Sequence, residues 1–201
     1  KLSPYLLSQE LQELAEFLKK EGLAPGWRNE SFAWFDHLGH ERFRMERAAF
    51  RSLGLHSRAC HINGYTSNQE IWLGLRSSTK ATDPNMLDNI AAGGVSADET
   101  LLQCAVRELW EESSVPRELA CLVEPIGHIH VSRVVEPKGL HDESLYTYDL
   151  ELPSDFIPKN NDGEVANFIK VPFTQAANLI LEGALTPDAA AVTADFLLRK
   201  A

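Results

Sequence analysis

Cysteine is scarce in this chain, with only Cys60, Cys104 and Cys121 among 201 residues and no CxxC pair. An odd, dispersed set builds neither a disulfide framework nor a zinc knuckle, and it suits a reducing cytoplasm. No apolar run approaches the roughly 18 residues that a helical membrane span needs, and the opening residues lack the pattern of a secretory signal. Basic residues are outnumbered, 19 Lys and Arg against 29 Asp and Glu, for a formal net charge of −10. That balance argues against nucleic acid or an anionic membrane as the main partner. Internal repeats and low-complexity tracts are also missing. What remains is an ordinary globular composition, 44% hydrophobic and 24% charged, long enough for one domain with a sizeable core plus an extra segment.

The order of patterns along the chain predicts the architecture. Residues 4–21 carry Leu7, Leu11, Leu14 and Leu18 at helical spacing and stop at Gly22 and Pro25, which reads as an amphipathic helix. Phe32, Trp34 and Phe35 precede a Leu38-Gly39 turn, and Phe43 and Met45 follow it, as in a hairpin. Glu46 to Leu53 then reads as a short helix ended by Gly54. From Cys60 the texture changes to short strands, at 61–66, 70–76, 119–135, 145–152 and 165–171. Two closing helices are expected at 172–182 and 187–200, the second capped by Thr186. This order predicts an α/β (α+β) fold with a mixed sheet, divided into a helix-hairpin-helix module over 1–58 and a main domain over 59–201.

The most informative stretch is residues 92–115, AGGVSADETLLQCAVRELWEESSV. A glycine-bearing loop runs into a helix predicted from Glu99 to Ser113. Leu102, Val106, Leu109 and Trp110 are expected on the packed face, with Glu108, Glu111 and Glu112 gathered on roughly the opposite one. A run of glutamates is usually a solvated acidic face. Here the carboxylates are neighbours at i, i+3 and i+4 and repel by a few tenths of a kcal/mol per pair, and Arg107 can reach only part of the set. A hard divalent cation, Mg²⁺ or Mn²⁺, neutralises such a cluster and leaves sites for substrate phosphates.

Gly93, Glu99, Arg107, Glu108, Leu109, Glu111, Glu112 and Val115 resemble the Nudix box, the signature of Nudix hydrolases, with Ser114 standing where that box usually ends in glycine. The resemblance implies an α/β/α sandwich with a mixed sheet over residues 59–201. It also implies hydrolysis of a small-molecule diphosphate with Mg²⁺ or Mn²⁺ held by Glu108, Glu111, Glu112 and a carbonyl near Gly93. In it Glu111 and Glu112 are the firmest ligands, Glu108 is ligand or base, and Arg107 orients Glu111 or Glu99. The segments HINGY (61–65), IWLGLRSSTK (71–80), MLDNIAAGG (86–94), YDLELPSDFIP (148–158) and NDGEV (161–165) are similar to the Nudix subfamily related to the domain fused to thiamine pyrophosphokinase. That similarity implies thiamine diphosphate or its oxidised analogues as substrate. WRNESFAWF and ERAAFRSLGL resemble the accessory segment preceding Nudix in that subfamily; covering the pocket and forming a homodimer are the two roles open to the module.

Beyond the box, Glu164 is a candidate for a further catalytic carboxylate, against the reading of Asp162-Gly163 as a simple turn. Arg76 and Lys80 are candidates for diphosphate binding, against surface solubility. His128 and His130 alternate on one strand face with no third metal ligand nearby in sequence. Trp34, Trp72, Tyr146 and Tyr148 are available to stack on a ring, although packing accounts for most such residues. Three alternatives accompany the hydrolase reading. The stretch LGLRSSTK with Pro84 also resembles isopentenyl-diphosphate isomerase, but the strand before the box, 89–92, lacks the cysteine of that chemistry. A non-catalytic diphosphate-binding module has no need for three glutamates with their arginine. ADP-ribose, an ADP-sugar or a dinucleotide is the remaining substrate class.

Overall fold

The structure, a computed structural model, describes residues 3–135 and 139–201. Lys1 and Leu2, the start of the expected amino-terminal module, lie outside the described residues. The chain folds into two compact units.

The smaller unit joins residues 1–58 to 94–99 and 130–144. Its first helix, α1 (Pro4–Lys20), opens where the Ser3 hydroxyl accepts the Leu6 N–H and Pro4 takes the first turn, and it carries Lys19 and Lys20 at its negative end. Strands β1 (Ser31–Phe35) and β2 (Glu41–Glu46) pair antiparallel, with Trp34 opposite Phe43. Those two rings stack at 5.5 Å. Helix α2 (Arg47–Leu53) ends at Gly54, whose φ of 64° is the left-handed conformation glycine adopts at least cost. Ala15, Phe32, Phe43, Met45, Ala49 and Phe50 form this unit's core. The predicted helix, hairpin and short helix are all present.

The larger unit comprises residues 59–93, 100–129 and 145–201. Further along the chain come β3 (Ser57–Thr66), β4 (Glu70–Arg76), β5 (Leu87–Asp88), β6 (Ala91–Gly94), α3 (Leu101–Ser113), α4 (Arg117–Ala120), β7 (Glu124–Val135), β8 (Gly139–Glu151), β9 (Val165–Pro172), α5 (Phe173–Leu181) and α6 (Pro187–Lys200). The sheet is mixed, with order β5-β4-β3-β8-β7, while β6 pairs with β3 and β9 with β4. The expected strand from residue 119 starts later, because 117–120 close a helical turn after Pro116. One core forms where Ile71, Leu73 and Val171 of β4 and β9 meet Ala176 of α5 and Ala189 and Phe196 of α6. Phe196 is fully buried and meets the Phe173 ring edge-on at 5.2 Å. Burial of a side chain that size contributes about 1.5–3 kcal/mol.

A buried polar chain lies in the same unit. His61 Nδ1 is 2.9 Å from Asn89 Oδ1. Asn89 donates to Asn63 and Thr193, Asn63 donates to Asp149, and Arg199 grips Asp149 with two nitrogens at 2.5 and 3.1 Å. With each member partnered, α6 is tied to β3 and β8 without an orphaned polar group.

Candidate active site

Helix α3 begins at Leu101, two residues later than the predicted start at Glu99. Thr100 is the cap: its hydroxyl accepts the Gln103 N–H, and the Gln103 side chain accepts the Thr100 N–H. Asp98 turns instead to Arg44, and Glu99 accepts the Ser96 N–H at 2.8 Å. Cys104, Ala105, Glu108, Leu109, Glu112 and Ser113 are the buried residues of α3. Leu102 and Trp110, expected on the packed face, are 48% and 55% exposed. The inward stripe therefore includes two glutamates. The expectation of carboxylates opposite the core is corrected for Glu108 and Glu112, whereas Glu111 stays half-exposed. The physical reason is geometric: Cys104, Glu108 and Glu112, like Ala105, Leu109 and Ser113, follow one another at i+4 along one side of the helix.

Each carboxylate has distinct partners. Glu112 Oε2 accepts the Ala92 N–H of β6 at 2.9 Å. Arg107 Nη1 lies 2.6 Å from Glu108 Oε1 and 3.0 Å from Glu111 Oε2, bridging the two. A Cβ on Gly93 would overlap the Glu108 carboxyl, so any larger residue there must displace that side chain. Its carbonyl faces the Cys104 thiol at 3.6 Å. Desolvation raises the Glu108 carboxyl to about 7 against the opposing pull of Arg107, with Glu111 and Glu164 adding repulsion. Glu112 is also pushed well above the ordinary carboxylate range, first by burial and then by Glu108, while the Ala92 N–H and Lys80 oppose the shift.

Residues far away in sequence complete the cluster. The segment before β9 hangs on the carboxyl end of α3. Lys159 N–H donates to Ser113 O at 3.1 Å, Asn161 N–H to Glu111 O at 2.9 Å, and the Asn161 side chain to Trp110 O at 2.7 Å. Ser114, in the left-handed conformation at φ 56°, donates its hydroxyl to Lys159 O at 2.7 Å. The serine in place of the usual glycine thus keeps the helix-ending backbone and adds a tether. Carboxylate oxygens of Glu112, Asp162 and Glu164 consequently fall within 4.8 Å of one another. Asp162 reads in the sequence as part of a turn, and its side chain does accept the Glu164 N–H at 2.8 Å. Its place in the acidic cluster is signalled there only by the second carboxylate in NDGEV.

Lys80 pairs with Glu164 Oε2. Arg76 is engaged by its own chain, with nitrogens on Asp88 Oδ2 at 2.7 Å, Thr82 O at 2.7 Å and Asp83 O at 3.0 Å. It shapes the loop between β4 and β5. His128 is exposed beside the Tyr146 ring. Trp72 is buried, and its indole N–H has no hydrogen-bond partner among the described residues.

The carboxylate set fits a divalent cation. Two buried glutamates, one of which raises the proton affinity of the other, with two more acidic side chains close to Glu112, form the oxygen-rich, repelling donor set that a hard cation relieves.

The mixed sheet with this helix against β6 defines a Nudix fold. A model of the NUDIX domain matches residues 55–196, and the chain belongs to that family. It is 34% identical over 192 residues to Nudix hydrolase 24, chloroplastic, of Arabidopsis thaliana, across 92% of this chain and 52% of the relative. The chain thus spans about half the length of the curated relatives it matches. Among solved structures, DR0079 from Deinococcus radiodurans is similar at TM-score 0.66 and 19% identity, covering 83% of this chain and 98% of that one. The NUDIX domain of Shewanella oneidensis NrtR, solved complexed with ADP ribose, is similar at TM-score 0.52 and 18% identity, covering 73% and 88%.

Proposed function

We propose that the chain is a metal-dependent hydrolase that cleaves the diphosphate linkage of a small organic diphosphate, with thiamine diphosphate or its oxidised analogues as substrate. Residues 59–201 act as the hydrolase and residues 1–58 as its accessory module. The observation that carries the reading is the buried pair Glu108 and Glu112, with Asp162 and Glu164 brought beside Glu112. A binding module gains nothing from desolvating carboxylates at this cost, whereas diphosphate hydrolysis needs them to hold a cation and take a proton. The thiamine assignment rests on the similarity of residues 61–65, 71–80 and 148–158 to the thiamine-related subfamily. ADP-ribose is the second reading, supported by the ADP ribose bound to the NrtR domain.

In the proposed reaction Glu108, Glu111, Glu112 and the Gly93 carbonyl hold Mg²⁺ or Mn²⁺, which when bound supplies Lewis-acid neutralisation of the diphosphate charge. Arg107 orients Glu108 and Glu111 by bridging them. Water attacks one phosphorus, the bridging P–O bond breaks, and the water's proton passes to a carboxylate. Glu108, where it is not a ligand, and Glu164 are the candidate acceptors of that proton. Lys80, paired with Glu164 beside the cluster, and Arg76, paired with Asp88, are the cations assigned to the diphosphate in this reading.

Supporting the cytoplasmic reading, all three cysteines are free, two of them buried. No helix among the described residues is long and apolar enough to cross a membrane. Homodimerisation through the accessory module is tested by sedimentation at several concentrations.

The decisive experiment is a substrate panel with Mg²⁺ and with Mn²⁺: thiamine diphosphate, oxythiamine diphosphate, ADP-ribose, NADH and nucleoside triphosphates. The thiamine compounds are expected to give the highest kcat/KM. Faster turnover of ADP-ribose or a nucleotide overturns the substrate assignment, and unchanged phosphate release in Glu112→Gln overturns the hydrolase assignment.

A further inference from the structure

Within the smaller unit, His56, His130 and Asp142 converge from three stretches of sequence. His56 Nδ1 is 2.9 Å from Asp142 Oδ2, and His130 Nε2 is 2.9 Å from Asp142 Oδ1. The two rings lie 5.4 Å apart. One ligand atom from each residue falls within 4.8 Å of the other two. His130 is more than half exposed, so the cluster is open to solvent on that side.

From this geometry we infer a second metal site, specific for a divalent transition ion of the Zn²⁺ type, formed by His56, His130 and Asp142. Two imidazoles and a carboxylate are borderline ligands that select Zn²⁺ over Mg²⁺. Three protein ligands with an open fourth position is a common zinc arrangement. Zinc–nitrogen bonds of about 2.0–2.1 Å in a tetrahedron put ligand atoms about 3.3 Å apart. The present contacts reach the two different oxygens of Asp142, and one ligand atom from each residue already lies within 4.8 Å of the others, so small side-chain rotations bring them around one ion.

A second contact separates this trio from a mere ion-paired triad. His56 Nε2 lies 3.0 Å from Ser144 Oγ. Metal-bound histidines typically donate their other ring N–H to such an oxygen, which orients the ring and sets its tautomer. The Ser144 hydroxyl can either donate to Nε2 or accept from Nε2–H, so it suits the ring whether Nδ1 carries a proton toward Asp142 or presents its lone pair to a metal. A metal here would pin residue 56 to the end of β7 and the start of β8 inside the smaller unit.

The probe is Zn²⁺ alone, added to chelator-stripped full-length Glu112→Gln protein so that the box cluster contributes little. Competition with a chromophoric chelator is expected to show one equivalent bound, at least tenfold more weakly in both His130→Ala and Asp142→Asn. Circular dichroism checks that each variant stays folded, and the exposure of His130 makes its truncation the safer of the two. X-ray absorption of the zinc-loaded protein should show a nitrogen and oxygen shell with imidazole scattering and no sulfur. Unchanged affinity in both folded variants overturns the site, and so does sulfur in the shell or zinc binding that vanishes with Glu112→Gln alone.

Discussion

Replacing Glu108 by glutamine should stabilise the metal-free protein above neutral pH. In the folded chain the carboxyl is raised from an ordinary 4.5 to about 7, chiefly by burial. The folded state therefore binds this proton more tightly than the unfolded chain does. Stability from the group is fully present below pH 4.5 and is lost as pH rises towards 7. At about 1.4 kcal/mol per pKa unit, the loss is about 3 kcal/mol. Glutamine cannot ionise, so the variant escapes this part of the decline. Glu112 keeps its own carboxyl in it, and Arg107 keeps Glu111 as a partner at 3.0 Å. The assay is urea unfolding of both proteins in chelator from pH 4 to 8. The wild-type decline should exceed the variant's by about 3 kcal/mol, and saturating Mg²⁺ should recover most of it in the wild type and little in the variant. Equal declines in the two proteins would refute the claim that Glu108 is buried against its own charge.

Other outcomes follow from the same geometry. Glu112→Gln should lower kcat at least 100-fold, measured as phosphate release with Mg²⁺, while circular dichroism stays unchanged. Gly93→Ala has no room beside the Glu108 carboxyl; it should displace that side chain and cut activity by a similar factor, visible as weaker Mn²⁺ binding. Ser114→Ala loses the hydrogen bond to Lys159 O and keeps the strained φ, so urea unfolding should register a loss of about 1 kcal/mol. Arg76→Ala strands the buried Asp88 and frees the 82–88 loop, and a fall in Tm of several degrees is expected.

The sequence carries most of the element order because the elements are punctuated locally. Gly22 and Pro25 end α1, Gly54 ends α2, and Thr186 caps α6 where the side chain meets the Ala189 N–H. The orientation of α3 departs from expectation for a physical reason. Reading the apolar residues as the inward face puts Leu102 and Trp110 inside, but small Cys104 and Ala105 together with Glu108 and Glu112 take that face. Hydrophobic patterning assumes that charge stays wet, and a site that desolvates carboxylates violates the assumption. Asp162 beside Glu112, and His56 with Asp142 beside His130, are invisible in the sequence because the partners lie 50 residues apart in the first case and up to 86 in the second.

The tether between Ser114 and Lys159 has a kinetic side. Helix α3 can nucleate from its own capping box, since Thr100 and Gln103 are three residues apart. Its last turn must wait for a segment 45 residues downstream to supply donors for the carbonyls of Ser113 and Glu111. Closing a loop that long delays contact formation during refolding. The carboxylate cluster is then assembled late, after the scaffold around it, and amide exchange at Lys159 and Asn161 should gain protection later than exchange in the first turns of α3.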